Sequence, residues 1–229
     1  MSRLFSWMLI STLGLGQQYQ ISILGFPVAD VEQTIHDSGK IEFTTENRGI
    51  FDLIWPAKNY YTAEYDTNSF ALKSWQKNIK QGEFKQNIAA QLDSTEILVY
   101  DKKNKIDVSP STYTILTLLA MVQSRPAEDL DTKWFNYEQE GQIGRARFLW
   151  ADTGNVWYKK DSIRCNHYRL DLEITDASRK INDRSDYFLD EIILEKVVRE
   201  IWVSRNKPKK IIQATLKTAW FPITAKLNE

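Results

Sequence analysis

One cysteine and two histidines carry most of the chemistry this chain could offer. His36 precedes Asp37 in a stretch that reads as a turn, the setting of a solvated side chain more than of a catalytic base. Cys165 and His167 lie two apart on a predicted strand and therefore share a face, the minimum for two ligands of a transition metal. A closed zinc site takes four ligands, and no further Cys or His stands at a recognisable spacing, so no metal is expected. A nucleophilic thiol needs an activating neighbour, and a histidine two residues along the same strand does not reach it. Acidic pairs occur at Asp129/Asp131, Glu138/Glu140 and Asp190/Glu191. Glycoside hydrolysis needs two carboxyls held roughly 5–10 Å apart across a cleft, and with 30 acidic residues such pairs arise by chance. The basic run Arg205–Lys210 reads as a hairpin loop. No phosphate-binding glycine loop, dinucleotide fingerprint, zinc-protease helix or serine-hydrolase elbow is present. No catalytic residue and no cofactor is assigned, and the reading inclines away from an enzyme.

The aromatic residues are plentiful. Trp55, Trp75, Trp134, Trp150, Trp157, Trp202 and Trp220 fall mostly within predicted strands, where large rings serve packing first. Trp55 differs. It ends the apolar stretch Arg48–Pro56, which lacks clean alternation, contains Gly49 and reads as a loop or helical turn over an open edge or barrel mouth. Trp55, with Phe51 beside it and Trp75 on a following strand, is the candidate ligand contact.

The elements that must position these residues read as strands. Tyr19/Ile21/Ile23, Ile41/Phe43/Thr45, Tyr61/Ala63/Tyr65 and Tyr168/Leu170/Leu172/Ile174 each alternate with polar neighbours, the signature of a half-buried strand. Further strands are predicted over 28–35, 70–79, 84–91, 95–100, 133–138, 145–152, 156–163, 197–204, 211–218 and 220–227. Turn signals separate them at 37–39, 66–69, 81–82, 101–104, 140–141, 153–155 and 206–208. One stretch has helical spacing. Ser109 can cap, Pro110 suits the first turn, and Ile115, Leu118, Leu119 and Val122 form one apolar stripe. A helix over about 110–124 is expected to lie on a sheet or plug a barrel end. Residues 176–190 read as an exposed polar loop leading into a short amphipathic piece at 187–195.

The chain has 229 residues, with 30 Lys+Arg against 30 Asp+Glu. That balance argues against nucleic acid or an anionic membrane surface as the main partner. A lone cysteine leaves no internal disulfide. Residues 1–16 combine Arg3, an apolar run from Leu4 to Leu15, and Gly14 and Gly16 two apart, the pattern of a secretory signal peptide. Their removal leaves residues 17–229 as a single, nearly neutral β-rich domain. No other segment is long and apolar enough to span a bilayer. Periplasmic or secreted placement is therefore expected.

The order of elements resembles a known family. The strand Tyr19–Gly25 runs at once into Val28–Thr34, a strand begins Phe70–Trp75, and a helix follows Asp107–Pro110. The chain closes on Val198–Arg205, Pro208 and Ala225–Leu227. This layout is similar to that of the bacterial DUF3108 family, exported proteins of unknown function. Asn206–Pro208 stands where that family carries Asp and small residues. The resemblance implies a β-rich, barrel-like periplasmic domain and no catalytic residues.

The expected fold is all-β: an antiparallel open barrel or two-sheet sandwich of about 10–14 strands with one packed helix. The expected function is non-catalytic binding of an apolar or amphipathic ligand, such as a lipid, glycolipid or peptide, in the curled sheet. The alternatives are a solid-core envelope scaffold and, third, a hydrolase-type enzyme.

Overall fold

The computed structural model of the chain describes residues 15–101, 103–178, 180–182, 185–194 and 196–228. The expected leader falls outside them, except for Leu15 and Gly16, which open the first strand. The first half of the chain forms β1 (Leu15–Ile23), β2 (Phe26–His36), β3 (Lys40–Asn47), the short helix α1 (Ile50–Ile54), β4 (Ala57–Tyr65), β5 (Leu72–Gln81), β6 (Phe84–Leu92), β7 (Ile97–Tyr100) and β8 (Asn104–Asp107). The second half begins with β9 (Thr112–Tyr113), α2 (Ile115–Val122), α3 (Ala127–Leu130) and β10 (Trp134–Gln139). It continues through β11 (Gln142–Tyr158), β12 (Asp161–Asp176), α4 (Tyr187–Ile193), β13 (Val198–Ser204), β14 (Ile211–Lys217) and β15 (Pro222–Leu227).

All fifteen strands belong to one sheet. Its order is β8 to β1 followed by β15 to β9, so the two halves join where β1 pairs with β15. Every pairing is antiparallel except β9 with β10. The ladder does not close, but the sheet curls until side chains from its two halves meet inside. Tyr100 on β7 donates to Glu138 on β10. The fold is therefore an open barrel and not a two-sheet sandwich.

Register defines two rims. The α1 segment and the turns after β1, β5, β10 and β14 open on one, called here the upper rim. The turns after β2, β4, β11 and β13 open on the other. Alternation sorts side chains as the sequence suggests: Ile41, Phe43, Tyr61, Ala63, Tyr65, Tyr168, Leu170 and Leu172 are all buried.

Three local expectations are corrected. Thr153–Asn155 is no turn: β11 runs straight through it for 17 residues, with Gly154 opposite Cys165, and the chain reverses at Lys159 and Lys160. The long β12 ladder supplies a partner for every residue there, and that overrides local turn propensity. The helix starts later and is shorter than Ser109 and Pro110 suggest. Ser111 takes a positive φ of 54°, and Thr112–Tyr113 pair with Asn136–Tyr137. Thr114 then caps α2 in a reciprocal capping box with Thr117. The expected stripe survives inside these bounds. Residues 185 and 186 are not an exposed loop either: Ser185 and Asp186 are buried, and Asp186 caps α4.

Helix α2 packs against β3, β4 and β9 on the inner side of the sheet. Its C-cap residue Gln123 accepts from Gln17 at 2.9 Å and Gln33 at 3.2 Å, near the lower rim. The β12–β13 connection folds in from the upper rim and carries α4. The buried guanidinium of Arg199 on β13 donates to the carbonyls of Ile192, Leu194 and Val197, so it latches the end of α4 to the wall.

Candidate functional site

The interior has two unlike halves. On the β5–β10 side lies a buried charged cluster. Lys77 occupies an inward position between Trp75 and Ile79 and is fully buried. Its ammonium donates to Glu140, to Ser185 Oγ at 2.6 Å and to Asp186 Oδ2 at 3.0 Å. Ser185 Oγ stands 2.8 Å from Glu140 Oε1. Tyr61 donates to Asp186 Oδ1 at 2.7 Å. Glu138 next door accepts from Tyr100 and from the Gly141 amide at 2.7 Å. Burial raises its carboxyl to about 7, against the pull of the Tyr100 and Gly141 hydrogen bonds and with help from the Glu140 charge. Its Oε2 has no hydrogen-bond partner among the described residues.

A lysine beside a serine suggests an activated nucleophile. Here the ammonium faces two carboxylates and donates to the hydroxyl, and Ser185 is only 6% exposed. That geometry ties the β12–β13 connection and the β10–β11 turn to β5. It does not present Oγ to a substrate.

The other half holds an apolar cavity of about 140 Å³. Leu116 and Leu119 of α2, Phe188 and Ile192 of α4, and Ile21 and Ile201 of the sheet line it. Gln33, Tyr61 and Arg199 also line it, but their polar ends are turned to Gln123, Asp186 and the carbonyls at the end of α4. A cavity of this size suits a benzene-sized group or a short acyl chain; an engineered apolar hole of roughly 150 Å³ takes benzene. Exposure of the lining locates the mouth. Of the lining on β1, Tyr19 and Ile21 are buried. Leu216 and Ile223, paired with each other near the upper rim, and Ala225 opposite Ile21 are half-buried.

The structure separates the three residues singled out as ligand contacts. Phe51 and Trp55 stand on or beside α1, 43% and 42% exposed, and Trp55 rests against the β5–β6 turn, where a Cβ on Gly82 would lie 2.9 Å from its ring. Trp75 is buried, with its ring edge-on to Tyr100 at 5.8 Å. None of the three lines the apolar cavity. The cavity residues had no sequence signal beyond ordinary strand alternation. Lys77 had one: a charged residue at an inward step of an alternating strand.

The remaining candidates are structural. His36 hydrogen-bonds Glu42 at 2.6 Å instead of standing free in a turn. Burial opposes the Glu42 charge, but hydrogen bonds from Lys40, Tyr60 and His36 outweigh it and hold the carboxyl at about 2. Cys165 is fully buried, and burial pushes its thiol up to about 11. His167 stacks on Trp202 with ring centroids 4.3 Å apart. No group of three metal-ligating side chains occurs among the described residues. The tryptophans depart from their expected role. Of the seven, only Trp75 is buried; Trp134 lies between the guanidinium groups of Arg145 and Arg147, and Trp157 and Trp220 are largely exposed. They occupy the outward steps of their strands or turns.

Comparison with known proteins bears on the fold. No family model matches the chain, and no curated protein matches it. Among solved structures, it is similar to a beta-barrel-like protein of the domain of unknown function DUF1849 from Brucella abortus, with a TM-score of 0.59 and 10% identity over 96% of this chain and 98% of that one. A DUF1089 family protein from Pseudomonas aeruginosa aligns over 92% of this chain and 95% of that one at 9% identity, with a TM-score of 0.37. The first likeness shows a shared barrel-like architecture.

Proposed function

We propose that the protein is an exported, non-catalytic binder of a small amphipathic molecule, whose apolar group enters the cavity between α2, α4 and the sheet. The observation that carries this reading is the apolar cavity itself. Its lining comes from α2, α4 and eight strands of the sheet. Burying an apolar chain there stabilises the complex by about 25 cal/mol per Å² removed from water. The volume limits the buried part to one ring or a short chain, so a larger lipid or glycolipid would leave its remainder outside. Export and kinship with the DUF3108 layout belong to the same reading, supported by the amino-terminal pattern of residues 1–16.

Calorimetric titration with octanoate tests the binding. Saturable binding is expected in the natural chain. Ala225→Trp, which fills the mouth, is expected to abolish it while leaving the far-ultraviolet circular dichroism unchanged. Absence of saturable binding in the natural chain, or equal binding by the filled variant, refutes the reading. Export is checked by the mass of the protein recovered from a bacterial periplasm, which should lack the first 16 residues.

A further inference from the structure

At the lower rim the β11–β12 ribbon outruns its neighbours. Beyond Arg147, opposite Trp134 of β10, and before Cys165, opposite Ser204 of β13, its two strands pair with no third strand. Two pieces fold against its base. Asp131, the C-cap of α3, accepts the Trp150 amide at 2.8 Å, and the Thr132 amide donates to the Phe148 carbonyl at 2.8 Å. On the β12 side the Arg205 amide donates to the Arg164 carbonyl at 3.2 Å. The β13–β14 turn then reaches back to the α2–α3 connection, where the Lys209 ammonium donates to the Arg125 carbonyl at 2.7 Å. These bonds frame an open cleft of about 600 Å³ between ribbon, α3 and turn. That volume lies within the roughly 300–1,000 Å³ of small-molecule sites.

The lining is an indole among balanced charges. Trp150 is 45% exposed. Glu128 and Arg205 are exposed and make no side-chain hydrogen bond or ion pair among the described residues. Asp131, Asn166 and Lys209 are half-buried, and each keeps a donor or acceptor beyond the one it uses within the fold. The balance selects the ligand. A simple anion or cation meets as many like charges as opposite ones. An apolar ligand strips water from carboxylates and cations and returns no hydrogen bond. Hydroxyl groups both donate and accept, so one neutral polyol satisfies carboxylate, amide, ammonium and guanidinium together. A ring with an apolar C–H face also covers the indole. A pyranose sugar combines the two.

The geometry points to this cleft as a binding site for a neutral saccharide. One ring stacks on Trp150, and its hydroxyls donate to Glu128 and Asp131 and accept from Arg205 and Lys209. The site shares no lining residue with the apolar cavity and does not depend on whether that cavity fills.

Two measurements on the purified protein test it. One is saturation-transfer NMR with cellotriose, maltotriose and the trimer of N-acetylglucosamine as separate probes. The other is co-sedimentation with purified peptidoglycan. Binding that depends on Trp150 is expected in at least one arm: transfer to a trimer identifies a soluble saccharide, and pelleting alone identifies the envelope polymer. Trp150→Ala should weaken binding about tenfold, and Trp150→Phe, which keeps an aromatic face, by less than about threefold. Glu128→Gln and Arg205→Gln should each weaken it about fivefold with unchanged circular dichroism, because both side chains are exposed. Raising the salt should leave the affinity unchanged, since a neutral ligand has no charge to screen. The filled variant Ala225→Trp should bind sugar as the natural chain does, so failure here and failure of the apolar-cavity reading are separable. Three results would each overturn the assignment: no transfer with no pelleting, full binding by Trp150→Ala, or tighter and salt-sensitive binding of the zwitterion diglycine than of any trimer.

Discussion

Lys77 is the residue on which the charged half of the barrel depends. Removing one partner of a buried ion pair strands the other charge, at a cost of about 3–5 kcal/mol. Lys77→Met is therefore expected to lower the free energy of urea unfolding by about that much, since Glu140 and Asp186 both lose their ammonium. Glu138 predicts the shape of the pH dependence. Its folded carboxyl is raised from 4.5 to about 7, so between those values the native state binds the proton more tightly than the unfolded chain. Stability should thus fall as pH rises from 4.5 to 7, and Glu138→Gln should remove that fall. Urea midpoints of the natural chain and the variant, compared at pH 5 and pH 8, check it; equal slopes would contradict the assignment. At this scale the sequence was a partial guide. The inward position of Lys77 is legible from Trp75 and Ile79, but its partners lie 63 and 109 residues away, a distance that no local pattern spans. Trp55 and Phe51 attracted notice for chemistry, and the barrel places them outside on α1.

At the scale of elements, period-2 alternation located most strands because one face of each is buried. It failed where the partner strand, more than the local sequence, decided the conformation. Thr153–Asn155 has the composition of a turn, yet β12 pairs it throughout. Ser109 and Pro110 look like a helix start, yet the short pairing of β9 with β10 delays the helix to Ile115. The β11–β12 ladder depends on a glycine in turn. At the register shift beside Ile143, a Cβ on Gly144 would lie 2.1 Å from the Glu173 carbonyl oxygen and 2.9 Å from the Ile174 Cα. Both neighbours are backbone and cannot swing aside. Gly144→Ala should destabilise the protein by about 2 kcal/mol, as overpacked sites do, measured as a lower urea midpoint with unchanged m. An unaffected midpoint would mean that the ladder yields more easily than its long pairing suggests.

For the whole molecule, a TM-score of 0.59 at 10% identity shows that the architecture needs alternation and turns more than particular residues. That is why the fold class was readable from one chain. The hollow half was not, because an inward leucine that lines a cavity has the same sequence pattern as one that fills a core. The sheet order has a further consequence, for folding kinetics. Each half is a meander of strands that pair with near neighbours in sequence, and one seam, β1 with β15, joins the first strand made to the last. Tyr19 meets Leu227 there, and the amide of Asn228 donates to Gln18 at 2.7 Å. Long-range pairings of this kind slow folding. A circular permutant that links residue 228 to residue 17 through a short glycine-rich bridge, with new ends between Lys159 and Lys160, makes the seam a local hairpin. It opens the 17-residue β11 from its β12 neighbour at a turn whose lysines are both exposed. Stopped-flow refolding of the permutant is expected to be faster than that of the natural order. A slower rate would place the rate-limiting step in the β11–β12 ribbon and not at the seam.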